Sequence, residues 1–241
     1  MSALDSISEF YHRVLIEAPA GKDGLEYLLS RGFSEDTIKQ FGVGFCPKLP
    51  INYTKEGYLT FSEIELLIEY KHLFKGRRGT YLDKFAGRLM FPVRNGLGDV
   101  KGFAARTITD ELPKYLNSAE SVSYRKSRSL FGLNLAKEAI YDANKAILCE
   151  GYTDAMAFHQ TGTKFAIACG GTYATKLQIA QIARYTSNIY LAFDADDAGD
   201  GVTQSTRGFA KEMGLKVGDI KIPRGKDPAD VLLKQTGIIG V

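Results

Sequence analysis

Apolar positions near the start of the chain recur at helical spacing. Ile7, Phe10, Tyr11, Val14 and Leu15 share one face, which predicts an amphipathic helix. GLEYLL (24–29) forms a second short apolar face that Gly32 closes. Ser34-Glu35-Asp36 reads as an N-cap followed by acidic first-turn residues, starting a helix that runs to about Gln40. Ser62 stands where it can cap a further helix carrying Ile64, Leu67 and Ile68. The pattern then shifts to strands. RLMFPV (88–93) and DVKGFAAR (99–106) flank Asn95-Gly96-Leu97-Gly98, a strand-turn-strand signal. Pro92 predicts that the first of these strands is an edge strand or irregular. TDELPKYLNSAESVSYRKSRS, a polar run of about 20 residues, reads as a loop, and a loop of that length is functional or disordered.

From residue 146 onward strand and helix alternate. AILC (146–149) is a buried strand and Tyr152 to Gln160 a helix. KFAIAC (164–169) is a strand and Thr175 to Tyr185 a helix. NIYLAF (188–193) leads to a helix from Asp200 to Met213, and VGDIKIP (217–223) to a short helix from Pro228 to Gln235. Such alternation builds a mostly parallel sheet with helices on both faces. Ligands of such sheets bind at the carboxyl ends of the strands.

Charge changes the picture next. Residues 1–70 hold 6 basic and 11 acidic side chains, whereas 71–128 hold 13 basic and 5 acidic. A basic middle ahead of an acid-clustered end suits a polyanion partner beside a metal site. The three cysteines, Cys46, Cys149 and Cys169, are widely spaced with no CxxC pair, so a zinc module is not expected. The start, MSALDSISEF, lacks the basic flank and apolar run of a signal peptide. No apolar stretch approaches the roughly 20 residues that span a bilayer. The expectation is a soluble cytoplasmic protein without membrane partners.

The acids then become informative. FDADDAGDG (193–201) holds four aspartates and no cation directly after an apolar strand. Glu150 ends the first strand of the alternating part, and Asp194 and Asp196 end the third. If those strands are neighbours, three carboxylates converge, at a large Coulomb cost unless a cation intervenes. Hard oxygen ligands with open positions suit Mg²⁺ together with substrate phosphates. Gly199 and Gly201 allow a tight turn into the next helix. Asp227, followed by Pro228, is both a fourth acidic point and a fitting N-cap.

EGYTDAMAFHQTG followed by FDADDAG resembles a Toprim domain. More narrowly, GRLMFPVRNGLGDVKGFAAR, PKYLNSAES, YRKSRSLFGL and EGYTDA follow in the order and spacing of bacterial-type DNA primase catalytic cores. The likeness runs from about Phe10 to Gln235. It implies an α+β N-terminal subdomain over residues 1–143 and an α/β Toprim subdomain with a mostly parallel sheet over 144–241. It implies primer synthesis on a single-stranded DNA template from ribonucleoside triphosphates, with Mg²⁺ or Mn²⁺. Glu150, Asp194 and Asp196 would be catalytic metal ligands, Asp227 a further one, and Asp154 and Gly199 supporting residues. Arg88, Arg106, Lys114, Tyr115, Asn117 and Lys126 match the nucleotide- and template-binding ridge. Tyr115 would stack on an unpaired base. Gly170-Gly171-Thr172 replaces the family's usual Leu-Gly-Thr, and Ala229 stands where an aspartate is common. The resemblance covers the catalytic core of such primases and implies a core without their zinc-binding and helicase-interaction parts. The chain therefore reads as a fragment, a compact phage or plasmid primase, or half of a split enzyme, whose partners include a replicative helicase or a separate zinc-binding protein. The alternatives are a Toprim-type nuclease and a non-catalytic single-strand-binding module. A topoisomerase would need a further domain for its tyrosine nucleophile.

Overall fold

The structure is a computed structural model that describes residues 2–48, 51–121, 124–171, 173–193, 197–223 and 226–234, with side chains for all of these except 197–202. It divides into two compact units, Met1–Ser30, Ile38–Val93 and Asp99–Arg125 in one, and Arg31–Thr37, Arg94–Gly98 and Lys126–Val241 in the other. The sequence reading starts the second unit at 144, whereas packing assigns residues 126–143 to it as well.

The first unit is α+β. Its helices are α1 (Ala3–Glu17), α2 (Lys22–Ser30), the end of α3 (Glu35–Phe41) and α4 (Phe61–Glu69), and its strands begin with β1 (Gly44–Phe45), β2 (Leu73–Lys75) and β3 (Tyr81–Asp83). Strands β4 (Arg88–Arg94), β5 (Val100–Thr107) and β6 (Tyr115–Asn117) follow. One sheet runs β1-β4-β5-β6, and β2 and β3 form a separate antiparallel ribbon. The five apolar residues predicted to line α1 are all buried. Each fully buried side chain of that size contributes about 1.5–3 kcal/mol. Tyr11 and Phe10 meet Phe103 and Tyr53 edge-on at centroid distances of 5.7 and 5.2 Å.

Three local expectations change. Helix α4 is capped by Thr60, not Ser62, because Thr60 and Glu63 form the reciprocal capping box. Strand β4 lies inside the sheet and not at its edge. Pro92 is tolerated there because β1 pairs only with Leu89 and Met90, so the missing N–H breaks no rung of that pairing. The polar loop contains β6, whose Tyr115 and Asn117 pair with Arg106 and Ala104. A three-residue strand is too short to reveal its period.

The second unit follows the alternating pattern. Its elements are α5 (Leu133–Ala143), β7 (Ala146–Cys149), α6 (Tyr152–Gln160), β8 (Ala166–Ala168), α7 (Lys176–Ile182) and β9 (Asn188–Ala192), then α8 (Asp197–Glu212), β10 (Lys216–Asp219) and α9 (Pro228–Lys234). The sheet is parallel with order β10-β9-β7-β8. Ala146 and Leu148 join a core with α5, α7 and α8 residues, and Ile147 and Cys149, on the alternate face, are equally buried. A strand buried on both faces needs helices on both faces. The three cysteines are free and buried. No described helix is long and apolar enough to cross a membrane.

His159 is fully buried on α6, with a ring nitrogen 2.9 Å from the Ala166 carbonyl. Burial pushes its pKa down to about 4. The folded chain therefore holds it neutral where the unfolded chain binds a proton. Its contribution is complete above about pH 6.5 and is lost as pH falls toward 4, by up to about 3 kcal/mol. Urea midpoints from pH 7 to 4 should fall, and His159→Gln should flatten that decline. An unchanged decline would refute the assignment.

Candidate functional site

The order β10-β9-β7-β8 has a physical consequence for ligands. The chain leaves β7 through α6 to β8 on one side, then crosses to β9 on the other. The switch point lies between β7 and β9, and crevices outside the carboxyl ends of strands at such points bind ligands. These two strands end level, with Cys149 opposite Ala192. Glu150, half-buried, follows one directly. Asp194 and Asp196 follow the other in sequence but lie outside the described residues, and Gly199 falls within α8. Among the described residues no group of three or more His, Cys, Asp or Glu side chains forms a metal cluster.

Glu150 is held by its backbone. Its carbonyl accepts from Gly170 N at 3.0 Å, one step beyond the Cys149–Cys169 bond. Gly170 has φ +70°, and a Cβ there would meet the Tyr152 hydroxyl at 2.2 Å. A leucine here would therefore not fit beside Tyr152 in this conformation. Burial pushes the Cys169 thiol up to about 12, so it is a core residue and not a nucleophile.

The two further acids differ in use. Asp154 is buried, and its two oxygens accept from Gly151 N at 3.1 Å and Ala229 N at 3.2 Å. It thus ties the turn after Glu150 to the start of α9. Asp154→Ala orphans two backbone N–H groups and should cost about 2–3 kcal/mol, with Asp154→Asn, which retains one acceptor, near half that. A thermal melt of Asp154→Ala unchanged from the parent would contradict this. Asp227 caps α9, accepting from Asp230 N at 2.6 Å, and faces Arg31 at 3.5 Å. Lys234's hydrogen bond and then Arg31 hold Asp230 below the ordinary carboxylate range. Asp230 is therefore paired with Arg31 and Lys234.

The predicted basic residues divide in the same way. Arg88 is buried and donates to the Pro113 and Lys114 carbonyls at 2.9 and 3.4 Å, fixing the segment that precedes β6. Arg106 is also buried, and its guanidinium lies 5.5 Å from the ring centroids of both Tyr27 and Tyr115. Its Nη1 donates to the Tyr115 hydroxyl at 3.1 Å, while Nε has no partner. Arg106, Tyr27, Thr107 and exposed Lys114 line a cavity of about 360 Å³. Asn117 accepts Lys84 Nζ on its carbonyl at 2.8 Å and leaves Oδ1 buried without a partner.

Lys126 belongs to the second unit. Its turn is held by buried Gln178, whose amide donates to the carbonyls of Lys126, Ser129 and Cys169 at 3.3, 2.6 and 3.0 Å. Tyr27, Arg31 and Gln178 are absent from the sequence-based set. Each acts on a residue far away in the chain, and no local pattern announces that.

Comparison with known proteins agrees with this architecture. A family model described as the DNA primase catalytic core, N-terminal domain, matches residues 10–137, and a Toprim-like model matches 147–232. A DNA primase of Staphylococcus epidermidis is 36% identical over 95% of this chain, which spans 38% of that relative. The zinc-binding and RNA polymerase domains of the Aquifex aeolicus primase superpose with a TM-score of 0.82 at 30% identity, covering 98% of this chain and 57% of that one. A DnaG primase catalytic domain bound to single-stranded DNA gives 0.83 at 32% identity, covering 98% and 76%.

Proposed function

The chain belongs to the DNA primase catalytic core family, and on that premise we propose that it joins ribonucleoside triphosphates into short RNA primers on single-stranded DNA. The observation that carries this reading is the level ending of β7 and β9 at the switch point of the parallel sheet. Glu150 follows one strand and the Asp194–Asp196 run follows the other. Their donor set is all carboxylate, which fits a hard cation such as Mg²⁺ or Mn²⁺. Glu150, Asp194 and Asp196 would hold it, with Asp227 as a further ligand. When bound, such a cation neutralises phosphate charge and eases deprotonation of the attacking 3′-hydroxyl.

The chain's own groups supply the rest. Asp154 keeps the Glu150 turn in place. The Tyr27 and Tyr115 rings flank the Arg106 guanidinium, which lines the same cavity as Lys114 and would place positive charge beside a phosphate there. Lys114 adds an exposed cation on the same cavity, and Lys126 would add a cation on the second unit. Phosphoryl transfer depends chiefly on such positioning and charge neutralisation. The setting this implies is replication in the cytoplasm.

The test incubates the chain with single-stranded DNA, the four labelled ribonucleoside triphosphates and Mg²⁺. Short labelled RNA that depends on the template is the expected product. A degraded template without RNA would replace this reading with hydrolysis.

A further inference from the structure

The β2–β3 ribbon carries charge that the site above does not use. Lys71, Lys75, Arg77 and Arg78 are its four cations, and residues 70–82 contain no acid. All four are exposed, and none makes an ion pair with a described residue. Arg77 and Thr80 close the tip, with Thr80 N 3.1 Å from the Arg77 carbonyl. Arg78 and Gly79 between them have φ +54° and +76°. A turn with two positive φ values favours Asn-Gly, so turn chemistry does not ask for arginine here. Lys71, where the chain passes from α4 into β2, has the same φ of +54°. Two of the four cations thus occupy positions where a smaller residue would be less strained.

The ribbon also has an open apolar face. Leu73 is buried, while Phe74 and its cross-strand partner Leu82 are 48% and 49% exposed. At its base Lys84 reaches the Asn117 carbonyl of β6, so the ribbon springs from beside the strand that carries Tyr115 and Asn117.

We propose that the β2–β3 ribbon is a second contact for single-stranded DNA, with Lys75, Arg77 and Arg78 on backbone phosphates and Phe74 under an unpaired base. Cations without an ion pair to any described residue, at an exposed tip, match a polyanion. An open phenyl ring among them favours a single strand, because a base in a duplex is already stacked. The inference rests on the proposed function only for the identity of the polymer, and it is read by binding alone.

The test compares the parent with a combined Lys75→Gln, Arg77→Gln, Arg78→Asn variant on a fluorescent oligodeoxynucleotide over a range of salt. Asn suits the left-handed position at 78, so the turn is retained, and circular dichroism checks the fold. Each lost phosphate contact on a single strand takes about 0.7 from the salt slope. The variant should therefore lose about 2 in slope and bind on the order of a hundredfold more weakly near 0.1 M salt. Phe74→Ala should weaken single-strand binding about tenfold with little change in slope, and should leave binding to a blunt duplex unaltered. Equal affinity and slope in the combined variant would overturn the ribbon contact while leaving the template reading intact. An equal loss on duplex for Phe74→Ala would overturn the choice of a single strand. If the parent itself binds no single strand, both this contact and the template reading fall.

Discussion

Asp194→Asn should lower primer synthesis by about a thousandfold, or 4 kcal/mol of barrier, and leave single-strand affinity within about twofold. The substitution preserves shape and removes one negative charge. A site built of Glu150, Asp194 and Asp196 holds a hard cation through charge more than through fit. Losing one carboxylate should therefore weaken both the cation's hold and the stabilisation of charge that develops on phosphate. Template binding is expected to survive, because the cations proposed for it belong to other elements. Arg106 and Lys114 lie on and after β5, and Lys126 precedes α5. Single-turnover extension of a preformed primer measures the first quantity, and fluorescence anisotropy with labelled DNA the second. Synthesis within tenfold of the parent would remove Asp194 from the metal site. A parallel fall in DNA affinity would mean that the acids organise the template path instead.

Asp83→Ala should destabilise the first unit by about 3 kcal/mol, a large part of a domain's usual margin. Asp83 lies at the end of β3, and its side chain is only 4% exposed. Tyr11 donates its hydroxyl proton to the carboxylate, and the Tyr53 hydroxyl donates at 3.3 Å. Phe85 N donates to the other oxygen at 2.8 Å. Tyr11 has one proton to give, so the His72 nitrogen 2.7 Å from its hydroxyl is a donor. Burial lowers the His72 pKa, which fits a neutral ring with its proton on Nε2. Removing the carboxylate leaves two hydroxyls and an N–H without their acceptor in an aromatic core. Tyr53→Phe removes only one of those bonds and should cost about 1 kcal/mol. Urea unfolding followed by tyrosine fluorescence distinguishes the two. A loss below about 0.5 kcal/mol for Asp83→Ala would mean that water replaces the carboxylate and that the cluster is not dry.

The Asp83 cluster illustrates where local sequence stops being informative. His72 and Asp83 lie 61 and 72 residues from Tyr11 along the chain. Tyr11 reads from the sequence as one apolar position on a helix face, which it is, but its hydroxyl gives no sign of its acceptor. The edge position expected for the strand of Pro92 fails for a related reason. Proline reports only its own missing donor, and whether a neighbour needed that donor depends on how far β1 extends. Thr60 was readable as the cap of α4, since Glu63 stands three residues on. Ser62 drew attention only because it is also a capping type.

What the sequence by itself determined is the succession of strands and helices from residue 146, the helical face of α1, and the placement of Glu150 directly after a strand. These follow from periodicity, capping types and turn residues, which act within a few positions of the chain. The tertiary structure alone decided which charges remain available. Arg88 is committed to two carbonyls, Arg106 is buried between two tyrosines, and Asp227 and Asp230 face Arg31. Lys75, Arg77 and Arg78 stay exposed without such partners among the described residues. A charged side chain reads alike in every sequence, and only the partners that folding brings within hydrogen-bond reach separate a structural ion from one left to meet a ligand.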